Sequence, residues 1–431
     1  FSQHPSTMRL DLSFVSVFLV AACLAQTPQY RQLGSFKVPY PGFLNFGLFP
    51  EQGNFTLLIS SFSGSPVSHD QVSFVPYMGQ QLYSLPSVVP KILTTKLIWP
   101  NEATQVPPEV FGSDRVVAVG NGFLVPGKSN GQISLFTDNS TLSGQKTTGP
   151  FVISQLKDEW FYHLALWYDM DKDGLLDCVT ARATKPSDGN GQGELVWYKQ
   201  PKTNAFGQPW EIFVLTSGPD IFIRLADLDN NGQLQIIAAE FFNASITVYW
   251  SSNQDWTDPT TIQSRVIDNT IGPLFDVGLV DLNGDGNLDL LATNHDHKTS
   301  VSGAFGYEIP QGLGNWKTQP WTRHTLASNI PTLKIGPNQA SPGNANAFHP
   351  LTKDTKSKPW ILLSGDGAEK AFMVMPQSPS ASNWTYSMQT IITTGCTVGQ
   401  IAVSDVNLDG YADFFVPAFE KGIVYGYTFS P

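Results

Sequence analysis

Oxygen-bearing side chains recur at alternate positions in four acidic nine-residue stretches, and the chemistry such a pattern can do is to hold a hard cation. The first stretch carries Asp169, Asp171, Asp173 and Asp177, and the second Asp227, Asp229, Asn231 and Gln235. The third carries Asp281, Asn283, Asp285 and Asp289, and the fourth Asp405, Asn407, Asp409 and Asp413. Ca2+ takes about six to eight oxygen ligands at about 2.3–2.6 Å, and alternate side chains of a tightly turning loop can all face inward. The sixth residue of each stretch is glycine, which alone adopts positive φ without steric cost. The carbonyl of the seventh residue (Leu175, Gln233, Asn287 or Tyr411) would complete the ring. Three to four structural Ca2+ ions are therefore expected. The second loop should bind weakest, because it carries only Asp227 and Asp229 as acids and affinity rises with ligand charge.

Histidine is the next source of chemistry. His295 and His297 flank Asp296 and, on an extended segment, fall on one side, so they are the weak catalytic candidates. His163 and His324 lie in strand-like runs and read as satisfied packing residues. Of the tryptophans, Trp197 and Trp250 end apolar runs and should pack between elements, as should Tyr425. Trp256, Trp316 and Trp384 lie in polar stretches and are the candidates for exposure and for stacking on sugar rings.

The elements around the acidic loops are strands. An EF-hand would need a glutamate at position twelve and helices on both sides. Position twelve is Thr180, Ala238, Ala292 or Val416, and each loop runs into a short apolar segment. The first loop residues stand 58, 54 and 124 apart, so the last interval hides a degenerate copy. That copy is expected near residues 348–354 with its strand at 359–364. Further units are expected at residues 48–60 and within residues 116–136. Seven units of four strands predict an all-β fold, a seven-bladed β-propeller with Ca-binding loops in several blades. A single propeller domain over residues 27–431 follows, with the strong motifs in residues 160–431.

The four loops and the apolar strands that trail them resemble FG-GAP/VCBS repeats, the blade motif of integrin α-subunit heads. Ala304-Phe-Gly306 comes near the Phe-Gly element of the strict pattern. The resemblance implies a calcium-bearing seven-bladed propeller. It says little about activity, since one scaffold hosts many functions.

Residues 8–25 read as a secretory signal peptide, a short apolar stretch ending in small residues, with residues 1–7 as leader before Met8. Val20-Ala-Ala-Cys23 gives a competing lipoprotein-type reading with a lipidated Cys23. Four Asn-X-Ser/Thr sites, at Asn54, Asn139, Asn243 and Asn383, are candidates for N-glycosylation. Cleavage would leave Cys178 and Cys396, which could form one disulfide but lie far apart in the chain, so two buried free thiols are the expectation. Net charge is −11 with no basic stripe, which argues against nucleic acid and anionic membranes as partners. The expectation for function is a secreted, calcium-stabilised module that binds glycans or extracellular proteins. The alternatives are a carbohydrate-active lyase or hydrolase using His295 and His297, or an extracellular structural or carrier protein.

Overall fold

Runs of β-branched and aromatic residues, broken every few residues by Gly, Pro, Asn or Asp, favour short antiparallel strands over helices. The computed structural model describes residues 28–49, 54–65, 70–113, 115–138, 147–155, 157, 159–185, 189–334 and 339–431. It contains seven antiparallel sheets, each a four-stranded meander or close to one. Blade one spans residues 41–94, blade two 100–152, blade three 161–217, blade four 223–268, blade five 274–328 and blade six 345–393. Blade seven takes three strands from residues 402–428 and its outermost strand, Arg31–Lys37, from the other end of the chain. That strand pairs antiparallel with Ile423–Thr428, with Phe36 opposite Val424, so the ring is shut by hydrogen bonds. Arg31 reinforces the seam by donating from Nε to Ser430 O (3.2 Å).

The core lies between blades. One apolar cluster joins blade seven to blade one through Phe36, Leu44, Leu57, Ile59, Phe415 and Val424. Others join blades one and two, two and three, five and six, and six and seven. Blades three to five share the largest, which contains Trp197, Ile236, Val248, Leu290 and Trp316. Each sheet is therefore apolar on both faces, and burial of both is possible only in the closed ring. The helical pieces are four to six residues or fewer, and no helix among the described residues is long and apolar enough to cross a membrane.

The N-terminal third forms two full blades, which its weak pattern left open. Blade two differs from expectation in its loop. Residues 116–136 hold its second strand, Val116–Asn121, and the start of its third, Ile133–Asp138, while the turn equivalent to the acidic loops precedes Val116. Blade six matches the expected degenerate copy: its inner strand Ala345–Phe348 leads through a loop to Trp360–Ser364. Cys178 and Cys396 are both buried and free.

Trp197 is buried and stacks on Phe213 at 4.1 Å, as its strand-end position predicts. Trp256 and Trp316 are corrections: they are 1% and 0% exposed. Their polar stretches are tight turns that fold back over a blade edge. Trp197 Nε1 donates to Trp256 O, and Trp316 meets Trp250 edge-on at 5.2 Å. Trp384 is half-buried and lies flat on His324 at 4.1 Å.

Candidate functional site

Strand register aligns the four acidic loops residue by residue. In blades three, four, five and seven the residue before each loop pairs with its ninth: Tyr168 with Asp177, Ala226 with Gln235, Val280 with Asp289, and Ser404 with Asp413. All four loops thus join the innermost strand of a blade to the next strand, on one face of the ring. The internal bonding repeats too. The first aspartate (Asp169, Asp227, Asp281 or Asp405) accepts the N–H groups of the fifth and sixth residues at 2.7–3.1 Å. The fifth side chain accepts the seventh N–H at 2.8–3.0 Å. The ninth side chain accepts the second N–H at 2.6–3.1 Å, and in the second loop Gln235 Oε1 does what the aspartates do elsewhere. Gly174, Gly232, Gly286 and Gly410 all have positive φ, 80–94°. Position four is also left-handed, with Lys172, Asn230, Gly284 and Leu408, a demand that Lys172 and Leu408 do not advertise.

The donor set fits a hard cation. Asp169, Asp171 and Asp177 each bring an oxygen within 4.8 Å of the others, and this is the one such triad among the described residues. Burial pushes the Asp177 carboxyl up to about 6 and those of Asp289 and Asp413 up to about 7, with neighbouring loop aspartates adding to the rise. Asp413 Oδ1 is buried without a donor in hydrogen-bond geometry among the described residues. Each is a carboxylate that a bound divalent ion would return to its ionised form. Asn283 and Asn407 bond through Nδ2 to the carboxyls of Asp285 and Asp409 at 3.1 and 2.9 Å, while their Oδ1 atoms accept the backbone N–H of the same residues at 2.9 and 3.3 Å. In the second loop Asp229 Oδ1 is taken by Gly314 N at 2.7 Å, which adds to the case for weak binding there.

Lys199 was not expected at the first loop. Its ammonium sits against Asp171 Oδ2 and 3.1 Å from Asp173 Oδ2, where it acts as an internal counter-ion. Replacing it removes a competitor for the same oxygens. Lys199→Gln should raise the first loop's affinity for Ca2+ about fivefold, the size of a partly exposed charge pair. Terbium luminescence titrated against calcium would read this, and a fall in affinity would make Lys199 a support of the loop instead.

The histidine candidates part company. His297 is exposed, with Nδ1 3.7 Å from Asp296 Oδ1. His295 is half-buried; its Nδ1 lies 2.8 Å from Pro342 O and its ring 4.9 Å from Phe275. His324 bonds through Nε2 to Glu308 at 2.6 Å. His163 packs as expected but is not satisfied: neither ring nitrogen has a partner among the described residues, and Phe43, Phe123, Phe161 and Phe222 surround it. Burial there lowers its pKa to about 3, so the ring is neutral. It occupies a break in blade three's inner strand, between Phe161–Tyr162 and Leu166–Tyr168.

A polar cluster on the axis was missed by reading the sequence. Glu102 of blade two, Arg224 of blade four, Asp276 of blade five and Gln400 of blade seven all stand on or beside innermost strands. Arg224 Nη2 donates to Asp276 Oδ1 at 3.0 Å, and Asn344 Nδ2 to Asp276 Oδ2 at 3.2 Å. Gln400 Nε2 donates to Asn45 Oδ1 at 2.9 Å. Burial raises the Glu102 carboxyl to about 7, with Arg224 opposing the rise, Asp276 adding to it and the Gln400 amide opposing it. Coupling among blades two, four, five and seven places these groups across the ring's centre. One signal could have found part of it. Counting back five residues from the start of each loop, as strand register defines it, gives Asn45, Asp276, Asn344 and Gln400 in blades one, five, six and seven.

A model of the FG-GAP-like repeat family matches residues 169–238 and 227–292, the first three acidic loops with their strands. This chain carries FG-GAP-like repeats on a seven-bladed propeller. No curated protein matches the FG-GAP-repeat chain. Among solved structures it is similar to a glucose dehydrogenase at 9% identity, covering 79% of this chain and 98% of that one with a TM-score of 0.41. It is also similar to the soluble aldose sugar dehydrogenase of Escherichia coli, at 9% identity over 77% of this chain and 96% of that one, TM-score 0.40. A third is the PQQ-bound aldose sugar dehydrogenase of Streptomyces coelicolor, at 11% identity over 93% and 97%, TM-score 0.38.

Of the glycosylation candidates, Asn243 is exposed in a turn, with Nδ2 bonded to Glu240 at 2.8 Å. Asn383 is half-buried, and its Oδ1 accepts Thr385 N. Asn54 opens a strand of blade one. Asn139, the leader at residues 1–7, the signal segment at residues 8–25 and Cys23 lie outside the described residues.

Proposed function

We propose that this chain is a secreted, calcium-stabilised FG-GAP-type propeller that serves as a binding or adhesion module for glycans or extracellular proteins. The observation that carries the proposal is the common geometry of the four loops, above all the convergent carboxylates of Asp169, Asp171 and Asp177. Calcium bound at Asp169, Asp171, Asp173 and Asp177, and at their equivalents, would tie each innermost strand to its neighbour. A closed shell of protein oxygens has a structural role and leaves the ring's faces for recognition. The apolar segment at residues 13–22 and the Asn-X-Ser/Thr sites support secretion.

The test is retention of the mature protein on a glycan array and on immobilised matrix proteins, with calcium and with excess EDTA. Calcium-dependent retention on either surface is expected. Self-assembly with no retention on any surface would favour a structural protein and overturn the reading.

A further inference from the structure

The axial cluster sits at the bottom of a space that opens toward the acidic loops. Gly278 lies two residues beyond Asp276 on the same strand, hence on the same side, and a side chain built there would meet nothing within 4 Å. Ala226 stands in the same relation to Arg224, and both Ala226 and Gly278 are half-buried. Beyond the cluster the space is closed by Phe43 and His163, 8% and 4% exposed, and His163 packs on Phe222, 0% exposed, at the cluster's own level in blade four. The centre of the ring is therefore a funnel with a polar floor and a mouth among the loops.

The floor is not self-sufficient. Gln400 is 7% exposed, yet its Oε1 has no donor in hydrogen-bond geometry among the described residues. Asn45, whose Oδ1 accepts Gln400 Nε2, has no acceptor for its Nδ2 among the described residues. A buried acceptor and a buried donor left unpaired each carry a desolvation penalty, and a hydroxyl group, which donates and accepts at once, can satisfy either. Charge narrows the ligand further. Arg224 disfavours a cation, while the Glu102 and Asp276 carboxyls disfavour an anion.

We propose that the axial funnel binds the end of a neutral, hydroxyl-rich molecule, a saccharide, with Glu102, Arg224, Asp276 and Gln400 as its polar floor. This rests on the glycan-binding side of the function proposed above, and gives it a location. Arg224 donates to the sugar's oxygens, Glu102 and Asp276 accept from its hydroxyls, and Gln400 Oε1 and Asn45 Nδ2 each take a hydroxyl.

The experiment is saturation-transfer NMR on the wild-type chain with glucose, galactose, mannose, fucose and N-acetylglucosamine, and with phosphate and methylammonium as charged controls. Two variants run alongside. Gly278→Leu fills the funnel without changing charge, and Glu102→Leu removes a floor acceptor while sparing the fold the burial of a carboxyl. At least one neutral sugar should bind the wild type and bind both variants at least tenfold more weakly, with melting temperatures unchanged. If Gly278→Leu fails to fold, Glu102→Leu decides alone. Equal sugar binding by wild type and variants overturns the funnel and leaves the glycan-binding reading standing. Binding of phosphate or methylammonium in place of sugar overturns the charge argument. No sugar binding with positive retention on matrix proteins removes the funnel ligand but not the module, and failure of both assays removes both.

Discussion

Stripping calcium from this protein should lower its melting temperature by about 10 °C. A site that binds only the folded state adds about 2.7 kcal/mol when free calcium is a hundredfold above its dissociation constant. The first, third and fourth loops together give about 8 kcal/mol, and the second adds least. An unfolding entropy near 2.1 cal/mol/K per residue converts this to about 10 °C for a chain of this size. Without the ion, the carboxyls of Asp177, Asp289 and Asp413 are held in surroundings that disfavour their charge. Thermal unfolding with and without EDTA, beside metal content by mass spectrometry, measures the effect. No shift and no bound calcium would mean that the backbone bonds to Asp169, Asp281 and Asp405 suffice to hold the loops, and the metal would have to be abandoned.

The second large effect is expected from a buried ion pair far from the acidic loops. Lys128 Nζ lies 2.7 and 2.8 Å from the two oxygens of Asp70, and both side chains are almost wholly buried (3% and 2% exposed). The same carboxylate accepts Ser63 N at 3.1 Å and Trp99 N at 2.7 Å. It therefore pins turns of blades one and two together beneath a pile of rings, in which Trp99 stacks on Phe62 at 4.4 Å and on Phe123 at 5.1 Å. Trp99 holds a left-handed backbone, φ 41°, which its surroundings must enforce. Lys128→Met leaves Asp70 charged, buried and unpaired, and should cost about 3–5 kcal/mol in denaturant unfolding. Adding Asp70→Asn to that variant should recover much of the loss, since the uncompensated charge goes with it. A single-variant loss below about 1 kcal/mol would show that water reaches the pair and that it is only a surface bridge.

How far the sequence foretold this molecule depends on whether a feature is local. The acidic loops, their sixth-position glycines and the period between them are written in consecutive residues, and from them came the blade count and even the degenerate unit at Phe348–Ser364. Blade two was placed less well because the turn before Val116 lacks the alternating acids and sixth-position glycine that mark the register elsewhere. Polarity misled at Trp256 and Trp316, where Asn, Gln and Thr make the turns that lay each indole onto a blade edge. Lys199 and the Asp70–Lys128 pair are single residues whose partners are settled by packing. The axial groups are the extreme case. Glu102, Arg224, Asp276 and Gln400 are strung across most of the chain and become neighbours only when the circle shuts.

That circle has a clasp made from two strands far apart in the sequence, Arg31–Lys37 against Ile423–Thr428. During synthesis at about 5–20 residues per second, the first strand must wait roughly 20–80 s for its partner to emerge. Until then six blades can stack in order, but the last seam stands open and each flanking sheet offers an unpaired apolar face. A nascent chain that stalls before Ile423 can never fasten itself, and is left as a substrate for chaperones or proteases. Linking the chain across this seam and opening it between two other blades would move the clasp and let the strand Arg31–Lys37 fold beside its partner from the outset.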